Sequence, residues 1–270
     1  MVINVKNFIC KFYLAIIMIF LYAPILVLVV LSFNSSKSRV VWGGFTLDWY
    51  RDIFRTSMVS AALQNTVVLA LGSAFFATII ALLACIGIDA MRRREYTIVM
   101  AVTNIPMLNA DIVTGIAMML LLIRFMPLGF SSIMLAHITF NIPYVILSIL
   151  PRFNQLDVSI YEAARDLGAG PVYSFFKVVL PELTPGIVSG FFMAVTMSMD
   201  DFVITYFTKG PGVNTLSTMI YSQIRKGIQP TMYALSTIIF LITVLFLILA
   251  NILSAPPKKR GMIHTPGNHI

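Results

Sequence analysis

The chain has 270 residues, 59% hydrophobic and only 11% charged, with a mean hydropathy of +0.90. That balance excludes a water-soluble domain and describes a polytopic membrane protein. The formal net charge of +8 would suggest nucleic acid in a soluble chain. Here, however, the basic residues gather at the ends of apolar segments, where orientation signals belong, and no nucleic-acid partner is expected.

Apolar runs long enough to cross a hydrocarbon core of roughly 30 Å occur near residues 12–33, 62–88, 97–123, 131–150, 184–207 and 231–254. They predict an all-α integral membrane fold of about six transmembrane helices forming one domain over 1–270. Lys6 and Lys11 precede the first run as in a signal peptide, but Phe12–Leu31 is long enough to span and lacks a small-residue cleavage pattern. It is read as a retained helix. Cys10 and Cys85 cannot build a disulfide framework and read as structural thiols.

The clusters Arg92–Arg94 and Lys258–Arg260 abut helix ends. The positive-inside rule places both in the cytoplasm, with the N-terminus and the 255–270 tail. Ser73, Ala77 and Ala81 recur every four residues in the second helix, as do Gly186, Gly190, Ala194 and Ser198 in the fifth, predicting flat faces for close helix contact. Pro24, Pro106 and Pro143 interrupt the first, third and fourth helices, as kinks or gate hinges.

Residues 151–183, between the fourth and fifth helices, are too polar for membrane. IYEAARDLG predicts one short helix, with Gly168 able to stop it; Pro171 and Pro181 bracket a second short element. Glu162-Ala163-Ala164, then Gly168, then Val178-x-Leu180-Pro181 resembles the EAA loop of ABC-importer permeases, with Val178 replacing the usual Ile. The resemblance extends along the chain through FNSSKSRVVWGGFTLDWY, NADIVTG, AHITFNIPYV and SMDDFVITYFTKGPG, and looks like the spermidine/putrescine permease family. It implies the type I (MetI-like) permease fold in the bacterial cytoplasmic membrane. It further implies a homologous second permease, an ATPase dimer using ATP and Mg, and an extracytoplasmic polyamine-binding protein. Tyr161, Glu162, Ala163, Ala164, Asp166, Leu167 and Gly168 would form the element that docks on the ATPase.

No GxxxxGK[ST] phosphate loop is present, so ATP hydrolysis is assigned to a partner and no cofactor to this chain. His137, His264 and His269 lack metal-ligand spacing, and no nucleophile, base and orienter set favours an enzyme.

Asp200 and Asp201 stand in an otherwise apolar run. An ionised Asp near the bilayer centre costs roughly 2.5–3.5 kcal/mol, so the pair must face a partner or a wet cavity. On a continuous fifth helix Asp201 would fall on the small-residue face and Asp200 at its edge. At ~1.5 Å per residue, Asp111 lies ~21 Å and Asp200 ~24 Å from the inner helix ends, and His137 ~9 Å from the outer end. These groups therefore share one layer. One reading is a cation path, with Asp111, Asp200 and Asp201 supplying charge and Trp49, Tyr50, Phe202, Tyr206 or Tyr221 supplying aromatic faces. The other has Asp111 or Asp201 locking helices together through hydrogen bonds, His137 packing, and Trp49 and Tyr50 anchoring an interfacial segment. Alternatives that stay open are another cargo, such as iron or thiamine, and an ion-coupled secondary transporter relaying protons through the acids and His137.

Overall fold

The computed structural model describes residues 2–36, 40–226 and 229–254; the tail 255–270 lies outside them. Among the described residues the chain is helical, with no strand. The elements are α1 (Val2–Leu31), α2 (Asp48–Arg55), α3 (Ser57–Asp89), α4 (Arg93–Leu108), α5 (Asp111–Leu122), α6 (Phe130–Phe153), α7 (Val158–Asp166), α8 (Pro171–Ser174), a π-helical turn (Phe175–Val179), α9 (Leu180–Asp200), α10 (Val203–Thr208), α11 (Leu216–Lys226) and α12 (Pro230–Ser254). Five helical stretches are long and apolar enough to cross a membrane, and a bent pair makes six when counted as one span.

That bent pair is a correction to the expected third helix. It breaks into α4 and α5, whose axes differ by 104°. Asn109 and Ala110 at the break are extended, with ψ of 151° and 135°. Pro106 weakens the turn before the break because it has no N–H to give, and Asp111 starts α5, where a carboxylate complements the helix dipole. The straight-line depth count for Asp111 therefore does not hold.

The fifth span also differs from expectation. It begins at Pro171 and ends at Asp200, so the segment between Pro171 and Pro181 is its first turns and not a separate loop element. Pro181 cannot donate a hydrogen bond to the carbonyl four residues back, and the turn just before it winds as π-helix, with the Leu180 N–H bonded to Phe175 O.

The core is the three-helix contact of α3, α6 and α9. Ser73, Ala77 and Ala81 are fully buried, as is Ala194. A Cβ built on Gly190 would sit 2.9 Å from Val145 Cγ1, and one on Gly186 only 3.0 Å from the Ser148 carbonyl oxygen. Glycine is needed there because the backbones of α9 and α6 approach too closely for a side chain. Ala70, Cys85, Ile146, Ile149, Leu183 and Val195 complete this core. At the end opposite α7, a second cluster joins Ile53, Val59, Leu216, Met219, Met232 and Leu235. A third joins Leu122 of α5, Ala136 and Phe140 of α6, and Ile204 of α10.

Candidate functional site

The carboxylate pair sits where α9 stops. Asp201 is extended (φ −61°, ψ 125°), and the chain re-enters a helix only at Val203. The helical-wheel placement of Asp201 therefore fails, since Asp201 is not on the helix. Its carboxylate turns back to cap α10, accepting from the backbone N–H of Ile204 at 3.2 Å and of Thr205 at 2.8 Å, and from Thr205 Oγ1–H at 2.8 Å. The carboxylate thus satisfies two first-turn amides that would otherwise be orphaned, and one hydroxyl besides. The Asp201 carbonyl accepts from Ser217 Oγ at 2.7 Å, tying the break to α11.

His137 closes this arrangement from α6. Its imidazole is fully buried, with Nε2 2.9 Å from Thr205 Oγ1 and 3.4 Å from Asp201 Oδ2. Because the Thr205 hydroxyl gives its proton to Asp201, its oxygen accepts from Nε2–H. One helical turn away, Asn141 donates to Ser198 Oγ at 2.8 Å, and Ser198 pairs with Ser73 of α3 at 2.9 Å. A polar seam thus runs through the apolar core from α3 to α10. His137 Nδ1 and Asn141 Oδ1 have no hydrogen-bond partner among the described residues. Sequence reasoning missed Asn141 and Thr205; the i, i+4 spacing of His137 and Asn141 in an apolar helix was the available signal.

Asp200 behaves oppositely to its neighbour. It is exposed, and no described residue is within hydrogen-bond or ion-pair distance of its carboxylate. Two residues further along the chain, Phe202 belongs to a three-ring cluster. Phe202 is 4.5 Å from Tyr221 and 5.4 Å from Tyr206, and Tyr206 is 6.0 Å from Tyr221, between ring centroids. The two tyrosines are 44% and 41% exposed.

Asp111 is also exposed and lies within electrostatic reach of the Tyr144 hydroxyl of α6. One turn further along α5, a Cβ on Gly115 would meet Phe207 at 3.0 Å and the Ile204 Cα at 3.5 Å. The start of α5 is thereby held beside α10. Trp49 and Tyr50 are engaged elsewhere: Trp49 Nε1–H donates to Asn34 O at 2.8 Å, and the Tyr50 hydroxyl is 2.7 Å from Ser32 Oγ. Both pack on the cluster that holds Leu216 and Met219 of α11, roughly the side of α11 away from Tyr221. The structure does not bring them to Asp200.

At the other end of the molecule, α7 is a compact exposed helix. Asp157 caps it, accepting from Ser159 N–H at 3.0 Å. Hydrogen bonds from the Ser159 side chain and backbone hold the Asp157 carboxyl below the usual carboxylate range. The helix ends in a left-handed Gly168, φ +88°. There Ala169 N–H bonds Ala164 O at 3.1 Å and Gly168 N–H bonds Arg165 O at 3.0 Å, the double closure of a Schellman motif. No atom lies within 4 Å of a Cβ built on Gly168, so conformation and not crowding requires glycine. Glu162, Ala163 and Asp166 are exposed, as is Leu167 at 89%.

The chain is similar to known transport permeases. Residues 90–255 match the family described as "Binding-protein-dependent transport system inner membrane component". The chain is 35% identical over 243 residues, 90% of it and 92% of the relative, to the spermidine/putrescine transport system permease protein PotC of Escherichia coli (strain K12). It is 38% identical over 228 residues, 82% and 81% of the two chains, to the putrescine transport system permease protein PotI of the same organism. A solved bacterial ABC transporter for the acidic polysaccharide alginate aligns with TM-score 0.70 at 17% identity, over 92% of this chain and 96% of that one. The inward-facing MetNI methionine ABC transporter aligns with TM-score 0.62 at 17% identity, over 78% and 98%. The chain belongs to the family of inner-membrane permease components of binding-protein-dependent ABC transport systems.

Proposed function

We propose that this chain is one permease subunit of an ATP-driven importer that moves polyamines, spermidine and/or putrescine, across the cytoplasmic membrane by alternating access. The observation that carries the cargo assignment is Asp200: an exposed carboxylate with no partner among the described residues, two positions before Phe202, whose ring packs on those of the partly exposed Tyr206 and Tyr221. A polyamine is a string of ammonium groups separated by methylenes. Its route needs unneutralised carboxylates for the charges, and rings that stack on alkyl segments and attract cations. Relatives named for spermidine and putrescine transport support the same reading.

In this scheme Asp200 and Asp111 meet the cation, while Asp201 holds the break that presents Asp200 and Phe202. The site binds weakly enough to release its load. A homologous permease completes the pathway, an extracytoplasmic binding protein delivers the cation, and two ATPase subunits use ATP and Mg on the cytoplasmic side. The termini and α7 lie on that side. Closure of the ATPases moves α7, which packs on α8 and the π-helical turn. From there the 30-residue helical stretch Pro171–Asp200 carries the displacement to the carboxylates.

The test is uptake of labelled spermidine and putrescine into proteoliposomes holding the chain with its permease, ATPase and binding-protein partners. Uptake that requires both internal ATP and the binding protein is expected. ATP hydrolysis without polyamine movement would overturn the cargo, and uptake driven by a proton gradient without the ATPase would overturn the machine.

A further inference from the structure

Between α7 and the bundle lies a cleft of about 500 Å³, formed by the last turns of α3 and α6, one side of α7 and the π-helical turn. Its walls are apolar, including Phe153, Leu156, Ile160, Phe175 and Val178. Three carboxylates, Asp89, Asp157 and Glu182, also line it, and no lysine or arginine does. This is unexpected, because the same end of the chain carries Arg92–Arg94, Arg165 and Lys177. Asp157 is held ionised by its bonds to Ser159. The cleft wants a partner that is both cationic and apolar.

Such a segment follows Ser254. The sequence continues APPKKRGMIHTPGNHI, sixteen residues in which Lys258-Lys259-Arg260 is followed within three positions by Met262 and Ile263. α12 delivers this segment to the correct end. Its start packs with α2 and α11 at the end opposite α7, and Phe246 stacks on Phe192 of α9 at 5.9 Å. α12 therefore runs antiparallel to α9, and Ser254, eight residues beyond Phe246, lies near the level of Thr184, eight before Phe192. Glu182 on the cleft wall is half a turn further. From Ser254 the chain can reach ~13 Å to Lys258 and ~28 Å to Met262 when extended.

We propose that residues 255–270 dock in this cleft, with Lys258, Lys259 and Arg260 against Asp89, Asp157 and Glu182, and Met262 and Ile263 on its apolar walls. The cleft takes one side of α7, that of Asp157, Val158, Ile160 and Tyr161. Of the residues given above to the ATPase, Glu162, Ala163 and Asp166 fall on the opposite side, whereas Tyr161 lines the cleft. Both contacts can therefore form together, and the docked tail braces α7 from behind. The inference does not depend on which cargo is carried.

The experiment uses the assembled transporter with Cys10→Ser, Cys85→Ser and Met262→Cys, and a second cysteine either in the cleft, Val178→Cys, or outside it at the same end, Tyr173→Cys. Tyr173 is 62% exposed and does not line the cleft. Docking predicts a disulfide to Val178→Cys that forms at least tenfold faster than one to Tyr173→Cys. Reversing the charges with Lys258→Glu, Lys259→Glu and Arg260→Glu should abolish the difference, as should excess synthetic peptide of the 255–270 sequence. Removal of 255–270 should speed amide exchange in residues 157–167 severalfold. Equal cross-linking rates at the two positions, or capture of Val178→Cys by a partner subunit, would overturn the proposal.

Discussion

The Nε2 atom of His137, in the first half of α6, lies 3.4 Å from a carboxylate oxygen of Asp201, the residue at which α9 gives way to α10. Thr205 stands between them, bonded to both. One buried imidazole thus fixes the backbone break that separates a structural carboxylate from an exposed one. The adjacent aspartates differ accordingly: Asp201 is bonded to α10, whereas Asp200 is exposed and has no partner among the described residues.

His137→Leu should therefore be costly although it fills the same space. It removes the donor to Thr205 and leaves Asp201 short of a partner, a loss on the order of 1–3 kcal/mol for a buried polar group left unpaired. Thermal unfolding of the purified transporter in detergent should show a clear drop in midpoint. His137→Gln keeps a donor and should recover part of it. An unchanged midpoint in His137→Leu would mean that the seam contributes nothing to stability.

Asp200→Asn should do the reverse. With no partner to lose among the described residues, its effect on stability should stay within about 0.5 kcal/mol. Polyamine uptake should fall about tenfold or more, as expected when roughly 1.4 kcal/mol of interaction with the moving cation is lost. Tyr206→Ala and Tyr221→Ala should each cost less, since a cation–π contact is worth about 0.5–2 kcal/mol. Tyr206→Phe should be near neutral, because the ring and not the hydroxyl makes that contact. Normal uptake by Asp200→Asn would remove it from the path.

Close packing of α6 and α9 gives a steric prediction. Gly186→Val places a branched side chain against the Ser148 carbonyl, where even a Cβ would be at 3.0 Å. Overpacking of this kind costs about 1–3 kcal/mol. Gly87→Val, at a site with no atom within 4 Å of the added Cβ, is the matched control. The yield of folded complex should fall for the first and hold for the second.

These cases mark how far the sequence can be read. The four-residue recurrence of Gly186, Gly190, Ala194 and Ser198 predicted a face for close helix contact, because close approach in a membrane has few other solutions; the partner, α6, was not named by it. IYEAARDLG predicted α7 and its stop at Gly168 because caps and left-handed glycines are local features. The 104° break between α4 and α5 was hidden because apolar composition runs through it, and only Asn109 and Asp111 flanking Ala110 marked a helix end and a new start. Asp201 was misplaced on a helical wheel for the same reason: hydropathy continues to residue 207 although the helix does not. Its acceptance of three donors from α10 depends on the chain folding back, which periodicity cannot show.

Acid should loosen α7 in a defined direction. The Asp157 carboxyl is held below its ordinary value by Ser159, so its folded pKa lies under the unfolded reference of about 3.9. Its capping contribution is complete above that reference and is lost as pH falls through the folded value. Hydrogen exchange of residues 158–166 should therefore be insensitive to capping between pH 8 and 5, after correction for intrinsic rates, and rise below about pH 4. Asp157→Asn keeps a capping oxygen without a titrating charge and should flatten the response. An equal rise in that variant would place the acid sensitivity elsewhere.

Gly168 separates the shape of α7 from its charge. The residue sits at φ +88° with open space around it, so Gly168→Ala introduces no clash and acts through backbone strain, on the order of 1–2 kcal/mol for a side chain held in the left-handed region. Strain of that size in a nine-residue helix should untwist the Schellman closure and misdirect α7 without unfolding the membrane core. Assembled transporters carrying Gly168→Ala should hydrolyse ATP but move several times less polyamine per ATP. Gly168→Asn, which tolerates this conformation better, should recover much of the loss. Glu162→Lys keeps the helix and reverses one exposed charge; it should instead weaken co-purification of the ATPase. If both substitutions lowered subunit binding alike, geometry and charge would be serving the same contact, and the turn at Gly168 would have no separate part in transmission.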